Sequence, residues 1–133
     1  MGIKIDHIGI AVSDLERTLK LYCDVFGLKP EEIEREVVEE QKVRVAMLPV
    51  GESRIELLES TAPDGVIAKF ITNKGEGVHH IAIEVDDIKA KLESLKEKEI
   101  PLVHAEPIIG AGGARTAFLH PKATKALLEL VEH

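Results

Sequence analysis

Along 5–12 the chain alternates, placing Asp6, Ile8, Ile10 and Val12 on one face of a strand and His7, Gly9 and Ala11 on the other. The first face is mostly bulky and is expected to pack on a helix. The second is a histidine followed by two residues with almost no side chain, a composition that leaves room for a pocket beside the strand. Ser13 is expected to open a helix, with Glu16 three residues on completing a capping box. Leu15, Leu19, Tyr22 and Phe26 follow at helical spacing, and Gly27 ends the run. Apolar segments at 43–50 and 54–58, separated by Gly51-Glu52-Ser53, predict a hairpin.

The pattern then returns. Ile81, Ile83 and Val85 lie opposite His80, Ala82 and Glu84. Asp86 or Asp87 caps a helix whose stripe is Ile88, Leu92 and Leu95, and Pro101 bars its continuation. Strands are expected over 115–120 and 126–131, joined by the turn Pro121-Lys122-Ala123-Thr124-Lys125. The turn Ala62-Pro63-Asp64-Gly65 and a short helix around Val66, Ile67, Phe70 and Ile71 separate the copies, and Asn73-Lys74-Gly75-Glu76-Gly77 leads into the second. His80 lies seventy-three positions after His7, and the same offset carries Ile55-Glu56-Leu57-Leu58-Glu59 onto Leu128-Glu129-Leu130-Val131-Glu132. The expected organisation is one α+β domain over 1–133: a module at about 1–61, a helix-containing linker at about 62–76, and a second module at about 77–133.

Composition narrows the functions open to such a chain. Hydrophobic residues make up 44% and charged residues 31%, which suits a globular protein. No apolar run approaches the roughly 20 residues that span a bilayer, and the N-terminal residues are too polar for a secretory signal. No membrane association is therefore expected. Cys23 is the single cysteine, so no internal disulfide forms and a reducing cytoplasm is the expected location. The net charge of −7, without a basic tract, argues against nucleic acid as a partner. Gly110-Ala111-Gly112-Gly113-Ala114 has no helix after it, and so is not a dinucleotide fingerprint.

The repeat preserves chemistry as well as apolar pattern. Each half holds one histidine near its start and one glutamate near its end. A carboxylate flanked by apolar residues, as Glu56 and Glu129 are, faces solvent or answers a partner, because burying it alone is costly. Two modules related by a pseudo-two-fold axis bring equivalent residues together. His7, Glu56, His80 and Glu129 then form one mixed imidazole and carboxylate set for a divalent first-row ion, with no thiolate to suggest a structural zinc site.

With these residues in hand, the chain resembles the vicinal oxygen chelate superfamily over nearly its whole length. Within it the likeness is to the methylmalonyl-CoA epimerases, carried by Ile5-Asp6-His7-Ile8-Gly9-Ile10-Ala11-Val12, Glu39-Glu40-Gln41-Lys42-Val43, Gly75-Glu76-Gly77-Val78-His79-His80-Ile81-Ala82 and Phe118-Leu119-His120-Pro121-Lys122. The resemblance implies two tandem βαβββ modules in a cup-shaped mixed sheet with helices outside. It also implies a metal held by His7, Glu56, His80 and Glu129, cobalt first and zinc, manganese or nickel as alternatives. It further implies that Glu129 doubles as catalytic base and that the protein is a homodimer acting on an acyl-CoA thioester. The reaction implied is epimerisation of methylmalonyl-CoA through an enolate. Some relatives carry a second glutamate base where this chain has Val45; Glu84, on the strand face of His80, is a candidate stand-in. Lys42, Arg44, Lys69, Lys74, Arg115, Lys122 and Lys125 are candidates for the coenzyme's phosphates. The alternatives are a glyoxalase I-type lactoylglutathione lyase and a metal-free small-molecule-binding protein of the same fold.

Overall fold

A computed structural model describes residues 3–133. Its elements run β1 (Lys4–Ala11), α1 (Leu15–Phe26), β2 (Glu34–Val38), β3 (Val43–Val50), β4 (Ser53–Ser60), α2 (Val66–Lys74), β5 (Gly77–Glu84), α3 (Ile88–Glu97), β6 (Ile108–Ile109), β7 (Arg115–Phe118), α4 (Pro121–Thr124) and β8 (Leu128–Glu132). The order is βαβββ twice, with α2 between the copies and α4 inside the last hairpin. The fold is α+β, as expected. The chain forms two compact units: Gly9–His79, and the chain up to Ile8 together with His80–His133. Strand β1 therefore contributes its first half to one unit and its second half to the other.

In the unit Gly9–His79 the strand order is β2-β3-β4-β1. Antiparallel pairing sets Val45 opposite Leu58 and Met47 opposite Glu56, so these four share one face. The other face carries α1, whose Leu15, Leu19 and Cys23 are buried against Val12, Ala46, Leu48 and Leu57. Each such aliphatic side chain contributes about 1.5–3 kcal/mol by leaving water. The helix stripe differs from expectation at its end. Cys23 is buried, whereas Phe26 is 41% exposed, with its ring edge to face against Tyr22. Its cap also differs: Asp14, not Ser13, accepts the hydrogen bond from Arg17 N, and Gly27 closes the helix at φ 74°. Periodicity locates no strand at β2, although the βαβββ order implied by the resemblance calls for one. Its Glu-Arg-Glu start hides the pattern, since an edge strand tolerates charge.

In the other unit the order is β1-β5-β8-β7-β6. Strand β8 runs parallel to β5, with Ala82 opposite Glu129, and antiparallel to β7, with Phe118 opposite Glu129. Ile88 and Leu92 of α3 pack on Val85, Ala117, Leu119 and Leu130. Here Asp87 is the cap, accepting from Ala90 N. The hairpin expected at 115–131 has shorter strands, because Pro121 starts the single turn α4 and His120 caps it through Nδ1.

The two copies repeat each other down to single hydrogen bonds. Val12 N donates to Leu58 O at 2.9 Å, and Val85 N to Val131 O at 2.8 Å. Leu15 N donates to Glu59 Oε1 at 3.4 Å, and Ile88 N to Glu132 Oε1 at 2.9 Å. A strand-end glutamate thus answers an orphan amide at the start of the helix in each copy.

Candidate metal centre

His7 sits on β1, His80 on β5 and Glu129 on β8, all in the unit that gathers the chain up to Ile8 with His80–His133. The side chains are nearly sealed, with relative exposures of 6% for His7 and 7% for His80 and Glu129. His7 Nε2 lies 3.1 Å from His80 Nε2, and Glu129 Oε1 lies 3.2 Å from each of them. Glu129 Oε1 has no well-aligned hydrogen bond within this triangle. Burial alone would push the Glu129 carboxyl up; the two imidazoles facing it, once protonated in acid, more than offset this and hold it at about 2.

The ring of His7 is oriented from behind. Its Nδ1 donates to Asp6 Oδ2 at 2.7 Å, which assigns the proton to Nδ1 and leaves Nε2 as a lone-pair donor atom. His80 is braced differently. The ring of Phe118, opposite Glu129 on β7, meets it edge to face at 5.5 Å, and His104 Nδ1 in turn accepts from Phe118 N at 3.1 Å.

These atoms fit a divalent ion. For bonds of about 2.1 Å, neighbouring ligand atoms lie about 3.0 Å apart in an octahedron and about 3.4 Å apart in a tetrahedron. The spacings of 3.1–3.2 Å fall between the two. Two imidazoles and a carboxylate form the donor set, with a carboxylate bound to the far nitrogen of one imidazole, as is common behind metal-ligating histidines. Cys23, the free thiol, is buried under α1 in the other unit.

Glu56 belongs to the unit Gly9–His79. It is 3% exposed, on the face of Val45 and Met47, and Arg54 Nη2 lies 3.0 Å from its Oε2. Val45 is 2% exposed in an apolar cluster with Met47 and Leu58, so it offers no proton-transfer group. Glu84 is partly exposed and pairs with Lys4 at 3.6 Å, with its carboxylate within 4.8 Å of ligand atoms of Asp6 and His133. His79 leaves the centre to His80, its ring lying against Phe70 at 4.9 Å. Several of the candidate phosphate cations are engaged. Lys42 pairs with Asp64 at 2.5 Å, Arg44 with Glu59 at 3.3 Å and Arg115 with Glu132 at 3.7 Å; Lys74 lies over Phe70.

Sequence reasoning missed Asp6, Phe118, His133 and Arg54. Alternation places Asp6 on the bulky face of β1, yet it is 6% exposed and turns its carboxylate to the ring of its neighbour. The signal was present, since a carboxylate beside a histidine in an apolar strand needs a partner. Arg54 was readable in the same way, two residues before a buried glutamate and on the same strand face.

Residues 6–118 match the Glyoxalase/Bleomycin resistance protein/Dioxygenase superfamily. A solved hypothetical protein of Bacillus halodurans is 41% identical, covers 100% of this chain and 96% of its own, and superposes with a TM-score of 0.94. A variant of the Streptomyces coelicolor methylmalonyl-CoA epimerase, in complex with 2-nitronate-propionyl-CoA, is 39% identical over 97% of this chain and 93% of its own, with a TM-score of 0.88. The human mitochondrial methylmalonyl-CoA epimerase is 38% identical over 97% of this chain and 73% of its own length. By sequence and by fold alike, the chain belongs to the glyoxalase/bleomycin resistance protein/dioxygenase superfamily.

Proposed function

We propose that the chain is a metal-dependent methylmalonyl-CoA epimerase. The observation that carries this reading is the sealed triangle of His7 Nε2, His80 Nε2 and Glu129 Oε1, in a chain whose full-length relatives include epimerases of that substrate. Glu56 is the fourth ligand on the strength of the repeat, since it occupies the place in the first copy that Glu129 occupies in the second. The two repeats act as one catalytic domain. Cobalt is the ion of first choice, because mixed imidazole and carboxylate donors suit it, with zinc, manganese or nickel as alternatives.

The substrate carbon between a thioester and a carboxylate is acidic, because losing its proton spreads charge onto the thioester oxygen as an enolate. A divalent ion at this centre supplies Lewis-acid stabilisation of charge developing on substrate oxygen. Glu129 is the proton-transfer group. Its depressed pKa keeps it ionised at neutral pH. Asp6 and Phe118 hold the two rings so that their nitrogens stay beside that carboxylate. Inversion is completed by a proton delivered to the other face of the planar intermediate by a second acid, for which Glu84 on the strand of His80 is the candidate, while Glu129 keeps the proton it removed. The same reading takes the protein as a cytoplasmic homodimer, checked by fractionation of its source cells and by sedimentation of the purified chain.

The deciding experiment uses cobalt-loaded protein and a single methylmalonyl-CoA epimer in deuterated water. Deuterium should enter the α-carbon as optical purity is lost, and chelator treatment should stop both until cobalt is returned. Cobalt-bound protein that exchanges no α-proton, but turns over methylglyoxal with glutathione, would replace this reading with the lyase.

A further inference from the structure

Asp6 is a buried carboxylate whose two oxygens serve different rings. Oδ2 accepts from His7 Nδ1 at 2.7 Å and Oδ1 accepts from His133 Nε2 at 2.6 Å. A carboxylate divided in this way has little freedom to rotate. One oxygen is anchored by His133, so the other has a set position against His7. A ring whose Nδ1 proton is held there presents Nε2, unprotonated, towards His80 and Glu129. The arrangement belongs to one copy of the repeat. The position equivalent to Asp6 is His79, whose ring packs on Phe70, and His80 is braced by Phe118 instead.

We propose that Asp6 is the positioning residue of His7 and that His133, by holding the second oxygen of Asp6, locks it in that role; together they set which nitrogen of His7 carries its proton and where its lone pair points. The consequence for ion affinity rests on the metal-centre reading above, whereas the tautomer of His7 does not. Neither Asp6 nor His133 touches the reacting atoms in this account. They act through His7.

The test uses the full chain as wild type, Asp6→Asn, His133→Ala and His133→Gln. In metal-free protein, nitrogen NMR of the imidazoles should show His7 as the Nδ1–H tautomer in the wild type and as a mixture in Asp6→Asn. Cobalt titration followed by the visible bands of the bound ion should then show affinity falling about 10–100-fold in Asp6→Asn, with altered bands. His133→Ala should give a smaller loss of the same kind. His133→Gln should recover most of it, because its amide N–H can still donate to Asp6 Oδ1. An unchanged tautomer together with affinity within twofold of wild type in Asp6→Asn overturns the proposal. Should Asp6→Asn fail to fold, the His133 pair decides: identical behaviour of the alanine and glutamine variants and wild type overturns it. Wild-type protein that binds no cobalt, while its His7 tautomer still depends on Asp6, defeats the metal reading and leaves the positioning role standing.

Discussion

The two copies of the repeat agree where they build structure and part where they build chemistry. Both cap their helix with an aspartate, Asp14 and Asp87, and both tie the helix start to a strand-end glutamate, Glu59 and Glu132. Both bury a leucine one turn into the helix, Leu19 and Leu92. Around the polar residues they diverge. Glu56 is answered by Arg54, while the equivalent place beside Glu129 is Leu127 and two imidazoles face the carboxylate instead. His7 is held by a carboxylate, His80 by an aromatic edge. Helix capping and apolar burial make the same demand in each copy, so duplication preserves them. The buried charges do not share one solution, and each copy surrounds its glutamate with what lies nearby.

That contrast is broken most strongly at the glutamates. Glu129→Gln removes the proton-transfer carboxylate, and its exchange rate with cobalt present should fall on the order of 10²–10⁴-fold. Glu56→Gln keeps an oxygen donor at the equivalent place, and should cost about tenfold or less in cobalt affinity and rate. Exchange kinetics on both variants at saturating cobalt decide this. Equal losses would mean the copies carry equal roles.

Leucine truncation tests the shared part. Leu19→Ala and Leu92→Ala should each destabilise by about 2–5 kcal/mol in urea titration. A marked difference between the two would show that the helices are not equivalent in packing.

Acid separates the glutamate environments next. A carboxyl with a depressed folded-state pKa adds stability above its ordinary value, and loses it as pH falls through the folded one. For Glu129 that window runs from 4.5 down to about 2. The urea midpoint of metal-free protein should therefore drop as pH is lowered from 5 towards 3, by about a fraction of a molar. Glu129→Gln should flatten part of that slope and leave the part owed to Asp6, whose pKa is also depressed.

The smallest effects lie at the caps. Asp14→Ala and Asp87→Ala should each cost about 1 kcal/mol by urea denaturation. Glu132→Gln should cost more than Glu59→Gln, because its bond to the helix amide is 2.9 Å against 3.4 Å. The reverse order would show that the longer contact carries as much as the shorter.

Much of this was legible before any coordinates. Periodicity located β1, β3, β4, β5, α1, α2 and α3, because each buries one face and a buried face leaves a residue-spacing signature. The seventy-three-residue offset singled out His7, Glu56, His80 and Glu129, and the structure places ligand atoms of His7, His80 and Glu129 within 3.2 Å of one another. Strand β2 was not legible, since an edge strand rich in charge has no apolar signature. The caps were ambiguous because Ser13 and Asp14, like Asp86 and Asp87, are both cap formers, and backbone dihedrals rather than residue type select between them. The partners of the polar residues were out of reach for a deeper reason. Asp6 with His133, His80 with Phe118 and the two rings with Glu129 are contacts between segments far apart in sequence. The sequence by itself determined the duplicated elements and the identity of the donor atoms, because both follow from local pattern and side-chain chemistry. Only the tertiary structure decided which nitrogen faces which carboxylate, since register and strand order, not composition, set distances of 3 Å.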